Sequence, residues 1–288
     1  MTLFPSSSSD TQGPVSQFLW YIPNEAKAGH RGDAVEAGHN SLATLSAQAL
    51  ALEEYGWTGA LIGTGWERPD SFTVATALTA LTSRFEPLIA VRPGYWRPAQ
   101  FAVAAATLDH LSGGRVRINI VSGQDNLAAY GDSERDQAHR YGRTKDFMRL
   151  VRRLWTETDV TFESEHFRVT GSTVTPRITR RGERLHPRLY FGGASEAAER
   201  VAATEADVQL FWGEPLDGVA ERIARLKRLS RELDRDLPPL EFGLRITTLV
   251  RDTTEQAWAD AEAKVAEMAH PAKLDPLWAA ATGQRRLL

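Results

Sequence analysis

The sequence predicts an α/β protein, a TIM-type (β/α)8 barrel that lacks its eighth strand–helix unit. Short apolar segments alternate seven times with amphipathic segments of helical spacing, a pattern typical of parallel strands joined by right-handed helical crossovers. Polar residues follow several of the apolar segments directly, and in a barrel the carboxyl ends of all strands meet on one face. A doubly wound open sheet has the same alternation, but its glycine-rich turn normally follows the first strand. No such turn follows the first strand here.

Each predicted strand is an apolar run that ends at proline, glycine or a polar residue. The strands are expected at 18–22, 60–63, 88–91, 116–121, 188–191, 208–211 and 242–250. The helices are expected from Ser41 to near Gly56 and at 71–81, 98–111, 141–155, 195–203, 217–233 and 253–268. Capping residues support this order, because Pro98 is suited to the first position of a helix and Gly113 to its end. A small hairpin is expected at 160–163 and 166–169, and a long loop at 122–140.

The domain prediction is a disordered leader at 1–16, a barrel domain at 17–270 and an irregular tail at 271–288. Pro271 and Pro276 interrupt the alternation, and 279–288 contains no apolar run of strand type. An eighth strand is therefore not expected, and a seven-stranded barrel sheet has two open edges. We expect a truncated sequence, with coverage of the edges by another subunit and a domain swap as alternatives.

Composition excludes several functional classes. The 288 residues include 34 Lys and Arg, 37 Asp and Glu and no cysteine, for a net charge of -3. Disulfides, thiolate catalysis and cysteine-ligated metals are excluded, and we expect no metal site. The charge balance gives no indication of nucleic-acid binding, and no apolar run approaches the roughly 20 residues of a membrane helix. The polar start lacks the features of a signal peptide, so we expect a cytoplasmic protein.

The most informative segment is Leu189-Tyr190-Phe191-Gly192-Gly193-Ala194-Ser195-Glu196. It is typical of a strand whose carboxyl end leads directly into the N-terminus of a helix. The glycines allow close backbone approach, and the free N–H groups of a first helical turn attract an anion. Gly193, Ala194 and Ser195 are therefore candidates for binding a phosphate group. An ordinary strand–helix turn capped by Ser195 is the alternative.

Several motifs in order along residues 17–265 carry a family resemblance. They are Ala90-Val91-Arg92-Pro93-Gly94, Asn119-Ile120-Val121-Ser122-Gly123, His139-Arg140-Tyr141, Tyr190-Phe191-Gly192-Gly193-Ala194-Ser195 and Trp212-Gly213-Glu214-Pro215. With them the chain resembles the flavin-dependent alkanesulfonate monooxygenases of the bacterial luciferase-like superfamily.

The resemblance implies a two-component enzyme that binds reduced FMN (FMNH2) supplied by a separate NAD(P)H-dependent FMN reductase. Such an enzyme oxygenates a small organosulfur compound, an alkanesulfonate or a sulfone, with O2 through a peroxyflavin. The expected state is a homo-oligomer, a dimer or tetramer, that binds neither nucleic acid nor membrane. Two alternatives stay open. One is an F420-dependent oxidoreductase of the same superfamily, and the other is a truncated relative that binds flavin with impaired catalysis.

The resemblance also implies roles for individual residues. It assigns binding of the phosphate to the turn at 193–195 and to Tyr141. The alternative for Tyr141 is an aromatic residue at the start of a helix that only packs on the barrel. Asn119, a polar residue within a strand, needs a hydrogen-bond partner, either the flavin or a neighbouring strand's side chain. The residues implied to line the flavin pocket at strand ends are Thr64, Arg92 and Ser122, although a surface ion pair is the alternative for Arg92.

Arg245, in the seventh strand, is the predicted catalytic residue. Its planar guanidinium suits a sulfonate or a peroxide oxygen, and the family places an active-site arginine there; the alternative is a buried salt bridge with Glu241 or Glu214. Trp212 is expected to wall the pocket. The sequence differs from the sulfonate enzymes at Thr247, where they carry histidine, and at Arg68, where they carry cysteine.

Overall fold

The structure is a computed structural model that describes residues 16–22, 38–66, 68–123, 125–132, 136–179, 185–213 and 215–268. The predicted leader, apart from its last residue, and the predicted tail at 271–288 lie outside the described residues. No helix in the part described is long and apolar enough to cross a membrane.

Within the described residues, seven parallel strands form one curled sheet of the TIM type, and no eighth strand of this sheet lies in that part of the chain, as the sequence predicts. Their order follows the chain, so each strand pairs with the next one that belongs to the sheet. The strands are β1 (Leu19–Ile22), β2 (Gly59–Ile62), β3 (Glu86–Val91), β4 (Arg117–Ile120), β7 (Leu189–Gly192), β8 (Val208–Trp212) and β9 (Glu241–Arg245). Consecutive parallel pairing requires a crossover after every strand, which the helices provide.

Seven α-helices in the described part of the chain complete the units. They are α1 (Leu42–Glu54), α2 (Ser71–Leu81), α3 (Pro98–Ser112), α4 (Gln137–Thr156), α5 (Glu196–Glu205), α6 (Leu216–Glu232) and α7 (Thr254–Met268). The predicted capping is confirmed at α1, where the Ser41 side chain accepts a hydrogen bond from the Thr44 N–H. It is also confirmed at α3, which begins at Pro98 and ends at Gly113 with a φ of 70°. A left-handed conformation of this kind favours glycine.

Three sequence predictions of element bounds were wrong. The helix expected at 141–155 begins earlier, at Gln137, because the Asp136 side chain caps it by accepting from the Ala138 N–H. The preceding loop contains a 3-10 turn, Leu127–Tyr130. The strand expected at 242–250 ends at Arg245, because its neighbour β8 ends at Trp212 and offers no further ladder partner. The hairpin forms from the antiparallel strands β5 (Val160–Glu163) and β6 (Arg168–Ser172), and its second strand lies further along the chain than the predicted 166–169.

Two apolar layers hold the sheet. Alternate strand residues face the helices and form the main core, whose largest fully buried side chains include Phe101, Phe147, Trp155 and Phe191. The other alternate residues face the barrel interior, where Leu88, Tyr190 and Val208 form a separate buried cluster. Successive side chains along a strand point to opposite faces of the sheet. Residues two positions before or after Leu88, Tyr190 and Val208 in the same strands therefore also face the interior.

The amino-terminal end of the interior is closed by a buried polar group. The Arg117 guanidinium donates to the Tyr190 hydroxyl at 2.5 Å, to Gln17 Oε1 at 2.8 Å and to Glu86 Oε2 at 2.5 Å. Burial by itself lowers the pKa of Arg117, but Tyr190 and Glu86 outweigh it and raise the pKa above its usual value. The charge is thus paired and hydrogen-bonded, as a buried charge must be.

At the same end, Glu53 joins α1 to the segment that enters β3. Its carboxylate accepts backbone N–H groups from Ser83 at 2.9 Å, Phe85 at 2.8 Å and Arg84. Burial raises the pKa of Glu53, yet the three N–H donors outweigh burial and hold the pKa below its ordinary value of 4.5. The charged carboxylate is therefore the form that stabilises the fold.

We expect Glu53→Gln to lower the free energy of unfolding at neutral pH by about 1–3 kcal/mol, since one acceptor oxygen for buried N–H groups is lost. The stabilisation by Glu53 is present above its unfolded pKa and is lost as the pH falls through the lower folded pKa. The difference from wild type should therefore shrink below about pH 4, as measured by urea denaturation. The control is Glu54→Gln, an exposed neighbour. An equal loss in both variants would contradict this role.

Candidate active site

The carboxyl ends of the strands bring the predicted site residues to one face of the barrel. Thr64 follows β2, Arg92 follows β3 and Ser122 follows β4, while Asn119 lies inside β4. The turn at 193–195 follows β7, and Trp212 and Arg245 are the last residues of β8 and β9. Each residue therefore lies where a barrel's active site is built.

The turn after β7 presents free backbone donors. Ser195 caps α5, and its hydroxyl accepts from the Ala198 N–H at 3.2 Å. The amides of Gly193 and Ala194 make no backbone hydrogen bond to another residue in the described part of the chain, and Ala194 is exposed. The N-terminus of a helix with such amides attracts an anion.

Two side chains fix the backbone of this turn. The Gly193 carbonyl accepts from Arg222 at 2.8 Å and from Gln209 Nε2 at 3.2 Å. A Cβ on Gly193 would lie 2.6 Å from the Cβ of Ala198, so only glycine lets the turn lie this close to α5. The carbonyl is thus held by donors of the protein, which leaves the amides as the open groups of the turn.

Tyr141 lies in the second turn of α4 and packs against the strand that leads into this turn. Its ring meets the ring of Phe191 edge-on, with the centroids 6.4 Å apart. Phe191 lies two residues before Gly193, so the contact brings Tyr141 against the strand that leads into the turn.

Asn119 faces the barrel interior. It pairs in register with Tyr190 of the interior cluster and is two residues beyond Arg117, whose guanidinium also points inward. Asn119 is 9% exposed, and its Oδ1 is buried without a hydrogen-bond partner among the described residues. A buried acceptor left unmatched costs about 1–3 kcal/mol, so this oxygen is a place where a bound ligand gains affinity by donating to it.

Arg245 contacts two aromatic rings. Its guanidinium carbon lies 4.5 Å from the centroid of Trp212 and 4.9 Å from that of Tyr21 in β1. The last strand of the sheet thereby reaches across to the first. Of the salt bridges predicted as alternatives, Glu241 pairs with Arg188 at 2.6 Å instead, and Glu214 lies outside the described residues.

Trp212 connects Arg245 to the turn after β7. A Cβ on Gly192 would lie 3.3 Å from the indole nitrogen of Trp212, so the indole covers the backbone there. Trp212 remains 51% exposed. The arrangement places a large aromatic face and a fixed positive charge at the same side of the barrel mouth.

Arg92 is buried, which rules out the surface ion pair considered for it. Its Nε lies 3.3 Å from Asp125 Oδ2, and its Nη1 donates to the Gly123 carbonyl at 2.5 Å. Asp125 Oδ2 also accepts from the Trp66 N–H at 3.0 Å and from the Tyr95 hydroxyl at 3.3 Å. One carboxylate thus joins the loops that follow β2, β3 and β4.

Aromatic rings reinforce this connection. Tyr95 stacks on Tyr130 with centroids 3.6 Å apart, and Trp66 meets Tyr130 edge-on at 5.0 Å. Burial is the main cause that raises the pKa of Tyr95 and of Tyr130 above the usual value. Both phenols are therefore neutral hydrogen-bonding groups at physiological pH.

The Ser122 hydroxyl meets a protein partner rather than an open space. It lies 2.5 Å from the hydroxyl of Thr144 in α4, which donates to the Arg140 carbonyl. Ser122 therefore connects the end of β4 to the helix that carries Tyr141. Thr64 is half-buried at the end of β2.

Sequence reasoning missed Tyr21, Asp125 and the aromatic group Trp66, Tyr95 and Tyr130. Tyr21 had a usable signal, because it is a polar-tipped residue near the end of the first strand. Asp125 had none, since it lies in an irregular loop where acidic residues are common.

Asp125→Asn should lower the free energy of unfolding by about 1–3 kcal/mol, because it removes the charge beside buried Arg92 and an acceptor shared by two loops. Urea denaturation followed by tryptophan fluorescence measures this change. Asp252→Asn, at an exposed position before α7, is the matched control. If the two variants unfold at the same urea concentration, Asp125 does not hold the loops together.

Comparison with known proteins agrees with this architecture. A family model described as luciferase-like monooxygenase matches residues 16–286. The structure of a riboflavin lyase with modified FMN and substrate riboflavin has a TM-score of 0.75 at 21% identity, covering 87% of this chain and 66% of the other. The structure of the EDTA monooxygenase of Chelativorans sp. BNC1 has a TM-score of 0.74 at 16% identity. The match covers 86% of this chain and 66% of the other.

A further neighbour uses a different cofactor. The coenzyme F420-dependent tetrahydromethanopterin reductase of Methanopyrus kandleri has a TM-score of 0.66 at 15% identity, covering 85% of this chain and 69% of the other. At these identities the structures show a shared fold. The chain spans slightly less than two thirds of the first two structures. Because the family model covers nearly all of the sequence, the chain belongs to a family of enzymes, the luciferase-like monooxygenases.

Proposed function

We propose that the chain binds reduced FMN at the carboxyl face of the barrel and oxygenates a small organosulfur compound, an alkanesulfonate or a sulfone, with O2. The observation that carries this proposal is the buried, unpartnered Oδ1 of Asn119 inside a barrel whose neighbouring turn leaves its amides open. A polar ligand with an anionic end satisfies both features at once. FMN, with its hydroxyl-rich chain and terminal phosphate, is such a ligand.

The chain's residues fit this ligand in the following way. The amides of Gly193, Ala194 and Ser195 take the phosphate, and the phenol of Tyr141, whose ring contacts Phe191 in the strand before the turn, donates to the same group. Asn119 accepts from the flavin in the interior. Residues at the ends of β2, β3 and β4 shape the rest of the pocket, namely Thr64, Arg92 and Ser122, and the last two act through protein contacts that fix the pocket wall.

Reduced flavin supplies the reaction with O2, and the protein supplies orientation, charge and exclusion of water. Arg245 is the residue that we assign to the sulfonate or sulfone oxygens, because its guanidinium is always charged and presents a planar set of donors. That guanidinium lies against the rings of Trp212 and Tyr21, and these contacts restrict its position before the substrate arrives.

A separate NAD(P)H-dependent FMN reductase would deliver the reduced cofactor. The expected assembly is a homo-oligomer, without nucleic-acid or membrane partners. F420 is the second candidate cofactor, since a neighbour of the same fold uses it and an anion-binding turn suits its phosphate as well. Anaerobic titration with reduced FMN and with F420 separates the two.

Ala194→Glu tests the phosphate position. A carboxylate beside the open amides should weaken FMN binding at least 10-fold by repulsion, while it leaves riboflavin, which lacks the phosphate, bound as in wild type. Ala194→Gln has nearly the same shape without the charge and should bind FMN normally. Fluorescence titration measures both ligands. An FMN affinity that is equal in the two variants would place the phosphate elsewhere.

Arg245→Lys tests the substrate position. Lysine keeps the charge but loses the planar set of donors, so kcat/KM for sulfite release from an alkanesulfonate should fall by about 10²- to 10³-fold, with FMN affinity unchanged. The assay needs an added flavin reductase. Arg251→Lys, on the exposed Arg251–Asp260 pair, is the control. Activity of Arg245→Lys at the control level would remove Arg245 from the substrate site.

A further inference from the structure

A second group of ligand-type side chains lies where α4 meets the hairpin β5–β6. It consists of His139 and Asp146 on α4 and of Glu165 and His166 in the turn of the hairpin. None of these residues belongs to the set proposed to bind the flavin. Their positions are separated by up to 27 residues in sequence, so only the packing of the hairpin on α4 brings them together.

His166 is arranged as a metal ligand usually is. Its Nδ1 lies 2.7 Å from Asp146 Oδ2, and its side chain is only 6% exposed. With Nδ1–H donating to the carboxylate, Nε2 carries a lone pair, and this atom is buried with no hydrogen-bond partner among the described residues. A carboxylate that fixes the far nitrogen of a histidine is the common outer partner of a metal-binding imidazole.

Two further donors converge on this imidazole. The ring of His139 meets the ring of His166 edge-on with centroids 4.5 Å apart, and His139 Nε2 lies 3.9 Å from Glu165 Oε1. One ligand atom from each of His139, Glu165 and His166 lies within 4.8 Å of the other two. A tetrahedral ion with bonds of about 2.1 Å needs separations of about 3.4 Å. The Glu165 side chain is 76% exposed, so its rotamers can supply most of the approach.

Gly142 makes room for this arrangement. A Cβ at this position in α4 would lie 2.9 Å from Cε1 and 3.3 Å from Nε2 of His166. Glycine in a helix interior is destabilising relative to alanine. Its presence here lets the imidazole of His166 lie directly against the helix backbone.

The group also has access to solvent and space for a fourth ligand. His139, Glu165 and His166 line a cavity of about 780 Å³, together with the segment 93–100 that leads into α3. A water molecule or an anion can therefore occupy an open coordination position. Two imidazoles and one carboxylate with an open fourth position form a donor set that suits Zn²⁺.

We propose that His139, His166 and Glu165 bind one divalent transition-metal ion of the Zn²⁺ type, with Asp146 as the residue that orients His166. The ion would connect α4 to the hairpin and leave one position open toward the cavity. This site is independent of the flavin proposal, and its test does not depend on catalytic activity.

The test is metal binding by the purified protein without a histidine tag. Equilibrium dialysis against Zn²⁺, with metal analysis, should give one ion per chain, and Co²⁺ should give the visible absorption of a tetrahedral site. His166→Gln, His139→Gln and Glu165→Gln should each weaken binding at least 10-fold, and Asp146→Asn should weaken it about 10- to 100-fold. His110→Gln, at an exposed histidine of α3, should bind as wild type does.

Glu165→Gln keeps the proposal falsifiable if a histidine variant fails to fold, because Glu165 is exposed and its loss disturbs no buried group. Circular dichroism checks the fold of each variant. The proposal is overturned if wild type binds no stoichiometric ion, or if Glu165→Gln and Asp146→Asn bind Zn²⁺ as tightly as His110→Gln does.

Discussion

The contact of Arg245 with Tyr21 and Trp212 is the interaction on which the shape of the site depends. A seven-stranded parallel sheet has a first and a last strand without a second neighbour, and nothing in its backbone hydrogen bonding draws these two strands together. The guanidinium at the end of β9 lies over one ring from β8 and one from β1. The same side chain therefore helps to curl the sheet and presents a positive charge at the mouth of the barrel.

The two ends of the barrel differ in how their polar groups are satisfied, and β4 shows the difference within three residues. Arg117 at the amino-terminal end is buried with Tyr190, Gln17 and Glu86 as partners. Asn119, one step further along the interior face, has a buried oxygen without a partner in the described part of the protein. Unmatched polar groups are kept where a ligand can match them. This difference supports the proposal that a ligand binds at the carboxyl end, where the active sites of this fold lie.

The rim of the site is held by tertiary contacts between loops rather than by secondary structure. Asp125 joins three loops around Arg92. The ring of Tyr95, which donates to Asp125, stacks on the ring of Tyr130. A pocket wall fixed in this way before a ligand binds loses little entropy on binding. On the outside of α4, the hairpin brings histidines of two elements together, so the same helix contributes to both sites that we propose.

Local patterns in the sequence determined the seven strand–helix units, the helix bounds at Ser41 and Gly113, and the strand-end positions of Thr64 and Trp212, because periodicity and capping depend on neighbouring residues. The sequence could not determine that α4 begins at Gln137, since Asp136 competes with other polar residues as a cap, or that the last strand ends at Arg245, which its partner β8 decides. Only the tertiary structure decided that Arg92 is buried beside Asp125, that Ser122 meets Thr144, and that His139 lies against His166. Each of these contacts joins residues distant in sequence, and their partners are chosen by how the loops pack, which no local pattern records.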